Sequence, residues 1–349
     1  MEKFRLAPDY EISRVIRGNW QMAAGHSAAP SADPIADMIA FAESGVTTFD
    51  CADIYTGVEA LIGEFRSRYR DLRGEEAAKR IRVHTKFVPD LDILSRIQKS
   101  DVERVIDRSL KRLNMERLDL VQFHWWDYAA PRLLDTAHWL DELRHAGKIR
   151  LLGGTNFDTQ HMLQIIESGV ALASMQVQYS LLDRRPAKAM AEAAAKHGVW
   201  LLCYGAVAGG FLSDKWLGAS APDGALENRS LVKYRLIIEE FGGWTLFQRL
   251  LAVLRRIADR RGVDISTVAT AAALERDRVA AVIVGARDQS HLKANLAVSA
   301  LKLTEAERGD IEAVIAEAND LPGDVYTLER DRTGRHGAIM KYNLNRDVV

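Results

Sequence analysis

Eight times along this chain a short run rich in β-branched and aromatic residues is followed by a longer stretch whose apolar residues recur at helical spacing. The runs cover residues 14–20, 46–50, 81–86, 118–124, 149–155, 174–178, 199–204 and 281–285. Helical patterns lie between them at 33–44, 58–69, 101–113, 131–146, 159–168 and 186–197, and later at 245–261, 266–276, 291–301 and 304–318. A single chain that alternates in this way buries its strands between helices. Eight alternations predict a closed parallel (β/α)₈ TIM barrel of the α/β class. An open doubly wound sheet is the competing architecture, but no G-x-G-x-x-G follows the first run.

The punctuation agrees with the pattern. Ser100 or Asp101 is expected to cap the helix that carries Val102, Val105, Ile106, Leu110 and Leu113 on one face. Gly147, Gly169 and Gly198 stand where helices end before the next strand, a place that favours a left-handed residue. We expect one domain over residues 1–349, with the barrel at about 14–300 and a C-terminal helix and irregular tail over 301–349. Residues 4–13 read as a hairpin lid. The connection over 207–244 is too long for a simple turn and reads as a lid over the barrel mouth, hinged at Gly209-Gly210 and Gly242-Gly243. Its Leu236-Ile237-Ile238 run should pack somewhere. Arg229, Lys233 and Arg235 either greet a sugar or anionic substrate or simply stay solvated.

Composition excludes several partners. With 349 residues and a net charge of -1, the chain has no electrostatic footprint for nucleic acid or an anionic membrane. No apolar run approaches the ~20 residues of a spanning helix, and no signal core follows Met1. Two cysteines, Cys51 and Cys203, make no disulfide framework, so a cytoplasmic setting is expected. No Cys or His pair has zinc spacing, so no metal site is expected.

Three strands deliver polar groups at their C-terminal ends, where barrel chemistry gathers. The second ends at Asp50, with Tyr55 on the loop beyond it; the third ends at Lys86 and the fourth at His124. A phenol is a weak acid near pH 7, but a neighbouring ammonium stabilises its anion and a carboxylate holds the ammonium in place. Together they make an acid/base group suited to a carbonyl oxygen, which His124 could orient. Alternatively, Asp50 and Lys86 are a structural ion pair, and His124 is a satisfied polar residue.

The stretch Gly45-Val46-Thr47-Thr48-Phe49-Asp50-x-Ala52-Asp53-x-Tyr55, with Thr85-Lys86 and Phe123-His124, resembles the aldo-keto reductase superfamily. The likeness continues through Gly153-Gly154-Thr155-Asn156-Phe157, Gln176-Val177-Gln178-Tyr179-Ser180, Tyr204-Gly205 and Val282-Ile283-Val284-Gly285-Ala286-Arg287. It implies an NAD(P)H-dependent oxidoreductase that reduces an aldehyde, ketone or sugar carbonyl, or oxidises the alcohol, with Tyr55 as general acid/base. Asp50 and Lys86 would tune Tyr55, and His124 would position the carbonyl. Thr155, Asn156 and Gln176 would hold the nicotinamide carboxamide, and Tyr204 would stack beneath the ring. Gly205, Val207 and Gly209 would lie along the pyrophosphate, and Gly285, Ala286, Arg287, His291 and Asn295 at the adenosine end. The chain departs from the family at His291 and Ala294, and Gly285 replaces a common lysine. Arg287 therefore tilts the expectation to NADP(H) and leaves NAD(H) open. Trp20, Trp125, Trp126, Tyr128 and Trp244 are expected as pocket walls, with Arg229 a substrate contact. A cofactor-sensing regulatory protein on the same fold is the rival reading.

Overall fold

The computed structural model describes residues 1–23, 31–224, 226 and 228–345. An antiparallel hairpin of β1 (Lys3–Ala7) and β2 (Tyr10–Ser13) precedes eight parallel strands. These are β3 (Val15–Gly18), β4 (Thr48–Asp50), β5 (Arg82–Phe87), β6 (Leu118–Phe123), β7 (Ile149–Thr155), β8 (Ser174–Gln178), β9 (Trp200–Tyr204) and β10 (Val279–Gly285). They pair in sequence order and β10 closes on β3, so the sheet is a barrel with no open edge. Helices α1 (Pro34–Glu43), α2 (Val58–Arg73), α3 (Glu75–Ala78), α4 (Lys99–Leu113), α5 (Leu133–His145), α6 (Thr159–Glu167) and α7 (Ala189–His197) fill the first six connections.

Local expectations hold with shifts of a few residues. Val46 and Thr47 are buried but stand outside the ladder, so the second barrel strand starts at Thr48. Helix α4 begins earlier than its apolar face suggests: Gln98 is the cap, and its backbone N–H donates to Asp101 Oδ2 at 2.9 Å. A carboxylate three residues into the helix thus reaches back to a free donor, half of a capping box. Gly198 is the left-handed cap of α7, at φ 70.

Two placements differ from the sequence reading. The hairpin is no lid over the mouth. Leu6, Tyr10 and Ile12 are buried with Ile16, Leu120, Leu202 and Ala280, and Tyr10 stacks 6.1 Å from His84. It plugs the N-terminal ends of the strands, because β2 runs straight into β3 and its apolar side chains have only the barrel floor to cover. The long connection after β9 carries a helix, α8 (Arg229–Phe241), followed by α9 (Gly243–Arg261) and α10 (Ile265–Leu274). Ile237, Ile238 and Phe241 are fully buried with Phe211, Phe247, Leu250 and Leu254 in a second core beside the barrel. The Leu236-Ile237-Ile238 run therefore packs, as its composition requires.

After β10 come α11 (Leu292–Ala300), α12 (Glu305–Ile315) and the short α13 (Thr327–Arg330). Beyond α12 the chain is mostly irregular, and it crosses the C-terminal face of the barrel. Among the described residues no helix is long and apolar enough to span a membrane, and no group of three His, Cys, Asp or Glu side chains is placed to hold a metal.

Candidate functional site

The alternation of a strand sends every second side chain into the barrel, and β5 and β6 use it to bring Lys86 and Gln122 level with one another. Lys86 Nζ donates to Asp50 Oδ2 at 2.7 Å and to the Cys51 carbonyl at 2.8 Å. The other oxygen of Asp50 accepts from Gln122 Nε2 at 3.0 Å and from Gln176 Nε2 at 2.7 Å, and Gln176 also donates to Gln122 Oε1 at 2.9 Å. A buried carboxylate with an ammonium on one oxygen and two amides on the other is fully answered, which is what keeps a buried charge tolerable. The Lys86 ammonium lies 5.4 Å from the centre of the Tyr55 ring. Burial pushes the Tyr55 phenol up to about 12, against the pull of Lys86. Burial works to lower Lys86, yet Asp50 and Tyr55 outweigh it and its pKa stands above the ordinary lysine value.

His124 follows β6 and is 2% exposed. Its Nδ1 lies 3.0 Å from the Thr155 carbonyl oxygen, at the end of β7. Burial and the nearby Arg330 guanidinium lower His124 to about 3, so it is neutral. Trp20 packs on Tyr55 with ring centres 4.7 Å apart, and Trp126 meets His124 edge-on at 4.2 Å. Asp50, Tyr55, Lys86 and His124 therefore share one rim with two tryptophans. Chemically, this is a phenol beside a held ammonium and a neutral imidazole, walled by aromatic rings.

The sequence pattern of the Aldo/keto reductase family matches residues 14–316. The chain belongs to this family. Protein tas of Escherichia coli (strain K12) is 31% identical over 239 residues, covering 62% of this chain and 67% of that protein. Flagellar radial spoke protein 5 of Chlamydomonas reinhardtii is 31% identical over 256 residues; the match covers 62% of this chain and 47% of that protein, about half its length. A glycerol dehydrogenase of Gluconobacter oxydans has the same fold, with a TM-score of 0.74 at 24% identity over 92% of this chain and 97% of its own.

In this aldo-keto reductase the other expected positions divide. Tyr204 stands at the end of β9 and its hydroxyl donates to Asn156 Oδ1 at 2.9 Å. The backbone N–H of Asn156 donates to the Gln176 carbonyl at 2.9 Å, so Thr155, Asn156, Gln176 and Tyr204 form one patch. Gln176 gives its amide nitrogen to Asp50 Oδ1 and Gln122 Oε1. Gly205 and Gly209 take positive φ; a Cβ on Gly205 would strike the Tyr234 hydroxyl, and one on Gly209 the Tyr234 ring at 2.7 Å. Their small size admits Tyr234 of α8, a reason the sequence reading did not contain. Val207 is half-buried and Ala286 buried. Arg287 is about half exposed, 3.8 Å from Asp288, and His291 precedes α11 on the surface. Asn295 on α11 keeps a buried Nδ2 with no partner among the described residues.

Several expected pocket walls are elsewhere. Trp125 is fully buried and packs on Phe123 at 5.9 Å, because the residue after His124 points back among the helices. Trp244 packs against Phe247, Trp216 and Phe211 in the second core. Tyr128 is sandwiched between His161, at 3.4 Å, and Arg330, at 3.9 Å. Among the described residues Arg229 donates to the Ile339 carbonyl, at 3.5 Å. Lys233 and Arg235 are not a solvated face: Lys233 pairs with the buried Glu329 at 3.2 Å and Arg235 with Glu239 at 3.0 Å.

The tail is what the sequence reading missed. Glu329 is fully buried and binds Arg185 as well as Lys233, with Asp183 closing the cluster. Burial opposes its charge, but Lys233 and Arg185 hold it down at about 2. Arg330 donates to the carbonyls of Trp125, Trp126 (2.7 Å) and Asn156 (2.8 Å), fastening the loops after β6 and β7. Tyr326 thereby lies 5.9 Å from His124, and Tyr342 lies 5.2 Å from Trp126. Asn345 ends the strap: Nδ2 binds Asp53 and the Val88 carbonyl, its N–H binds Asp90, and Oδ1 accepts from Arg108. A usable signal was present, since a polar tail that carries Tyr326 and Tyr342 among paired charges is not the composition of a disordered end.

Proposed function

We propose that the chain is an NAD(P)H-dependent oxidoreductase that interconverts a small carbonyl compound, whether aldehyde, ketone or sugar, and its alcohol. The observation that carries this reading is the Asp50–Lys86 pair, at 2.7 Å, set beside the Tyr55 ring. When bound, a nicotinamide nucleotide supplies or takes the hydride. The residues present suit that group. The unpartnered Asn295 Nδ2 offers a buried donor to an adenine nitrogen. The patch of Asn156, Gln176 and Tyr204 supplies an amide, a carbonyl oxygen and a ring face for the carboxamide end. Thr155 would border that patch, and Gly205, Val207, Gly209, Gly285, Ala286, Arg287 and His291 would line the rest of the nucleotide's path. Arg287 is about half exposed and 3.8 Å from Asp288, so it can fork onto a 2′-phosphate, and NADP(H) is the preferred nucleotide.

Tyr55 holds its proton at Oη until charge develops on the substrate oxygen, and then gives it up, because only there is the phenolate stabilised by Lys86. Lys86 stays protonated throughout, anchored by Asp50. His124 sits beside the same oxygen, while Trp20 and Trp126 wall the site. The two buried free thiols, Cys51 and Cys203, are consistent with work in the cytoplasm. Tyr55→Phe tests the assignment. Carbonyl reduction should fall by more than tenfold while nucleotide affinity stays within about threefold. Retention of normal turnover would remove Tyr55 from the chemistry.

A further inference from the structure

The two strands that close the barrel, β3 and β10, end level with one another, Gly18 against Gly285. Beyond Gly18 the chain makes one tight turn, Trp20–Met22. That turn is fixed on both sides of Gln21. Asn19 donates its backbone N–H and its side-chain amide to the Asp50 carbonyl, at 3.0 and 2.9 Å. The Met22 N–H donates to the Asn19 carbonyl at 3.1 Å, and Trp20 packs on Tyr55. Gln21 is thereby sent across the end of β10. A Cβ on Gly285 would fall 2.1 Å from Gln21 Nε2 and 3.1 Å from its Cδ, so the amide takes the space that a side chain at 285 would need. Gly285 is exposed, and Arg287 follows two residues on. The loop that carries Arg287 is tied to α1, where Asp37 Oδ1 accepts from Gln289 at 3.0 Å and Oδ2 from Ser31. The Asp37 carboxylate is thus occupied. Gln21 Oε1, in contrast, is buried with no partner among the described residues. A buried acceptor in that state is matched to a donor that a ligand brings.

We infer that Gln21, on the turn after the first barrel strand, reads the 2′ position of the nucleotide ribose beside Arg287, and that it answers either nucleotide. An amide carries an N–H₂ donor and a carbonyl acceptor, and it exchanges them by turning about one bond. With its nitrogen towards the ribose it donates to a 2′-phosphate, which accepts. With its oxygen there it accepts from the 2′-hydroxyl of NAD(H). Arg287 rewards the phosphate alone. Gln21 gives the unphosphorylated ribose a partner as well, so the chain binds both nucleotides and prefers NADP(H) only modestly. This inference rests on the proposed use of a nicotinamide nucleotide.

Equilibrium titrations followed by protein fluorescence test it without turnover, using NADPH and NADH, and then 2′,5′-ADP and 5′-AMP to isolate the adenosine half. Gln21→Glu keeps the shape of the side chain and its acceptor, and sets a negative charge where the phosphate would lie. NADPH and 2′,5′-ADP should weaken about tenfold or more, the worth of a hydrogen bond to a charged group. NADH and 5′-AMP should stay within about threefold. Gln21→Met removes donor and acceptor together and should weaken both nucleotides by about three- to tenfold. Melting curves without nucleotide establish that each variant is folded. If Gln21→Glu changes NADPH and NADH by the same factor, or changes neither, the glutamine only fills the space over Gly285 and the inference falls. Should that variant fail to fold, Gln21→Met decides alone, and unchanged affinities overturn the inference. A wild-type protein that binds neither nucleotide would instead overturn the nucleotide reading itself, and this inference with it.

Discussion

Replacing Lys86 with methionine separates a catalytic ammonium from a structural one. The change keeps the length of the side chain but deletes the donors to Asp50 Oδ2 and the Cys51 carbonyl. Breaking a buried pair by removing one partner costs about 3–5 kcal/mol. Asp50 would retain Gln122 and Gln176 on its other oxygen, so the lower end, about 3 kcal/mol, is expected. The chemical effect is separate. Tyr55 already stands at about 12 because burial outweighs Lys86. A neighbouring opposite charge is worth about 1–3 pKa units, at about 1.4 kcal/mol each, and its loss raises the phenol further. We expect kcat/KM for a carbonyl substrate to fall by about 10²-fold or more, the range of general acid catalysis. Nucleotide affinity should change by less than about threefold, since no described nucleotide-facing residue touches Nζ. The assay pairs initial rates at neutral pH with a melting curve and a nucleotide titration on the same preparation. A destabilised variant with kcat/KM within about threefold of wild type would refute the argument and leave Asp50–Lys86 as a structural pair.

Other expectations follow from the same geometry. Asp53 is buried beside Glu59, and its carboxyl is raised to about 7 despite bonds from the Val88 N–H and Asn345. With an unfolded value near ~3.9, the native state holds a proton there that the unfolded chain has lost. Its contribution to stability therefore declines from about pH 4 to pH 7 and is constant above, by up to ~4 kcal/mol. Asp53→Asn should make the melting temperature at pH 8, relative to pH 5, higher than in wild type; identical differences would contradict the buried, raised carboxyl. Arg287→Ala should weaken NADPH about tenfold or more and NADH less than about threefold, because only the former offers a 2′-phosphate to a guanidinium; equal losses would remove Arg287 from phosphate recognition. Arg330→Ala should lower the melting temperature, since three carbonyls lose a charged donor. It should also shift the His124 titration to higher pH by removing a neighbouring positive charge, and an unchanged titration in NMR spectra would show that the charge is too well screened to matter.

The barrel was legible in the sequence because its signals are local. Runs of β-branched and aromatic residues, helical stripes and terminal glycines each report on a few neighbouring residues, and eight repeats leave little choice of architecture. Asp50, Lys86 and His124 were legible for the same reason, since strand ends in a parallel barrel share one face wherever they occur in the chain. Gln122 was not singled out, although it lies one strand period before His124, because an isolated glutamine in a strand carries no signal until Asp50 is beside it. The roles of Gly205 and Gly209 depend on Tyr234, some thirty residues away, and could not be read from the turn they sit in. Trp125 and Trp126 are adjacent and chemically identical; only the packing of the helices around β6 sends one into the core and leaves the other against His124. The tail shows the largest gap. Its charges look solvated along the chain, but Glu329 meets Arg185 and Lys233, and Arg330 meets three backbone carbonyls, only after the barrel has closed. Such contacts join residues with no sequence relation, so tertiary structure alone decides that Tyr326 and Tyr342 stand beside His124 and Trp126.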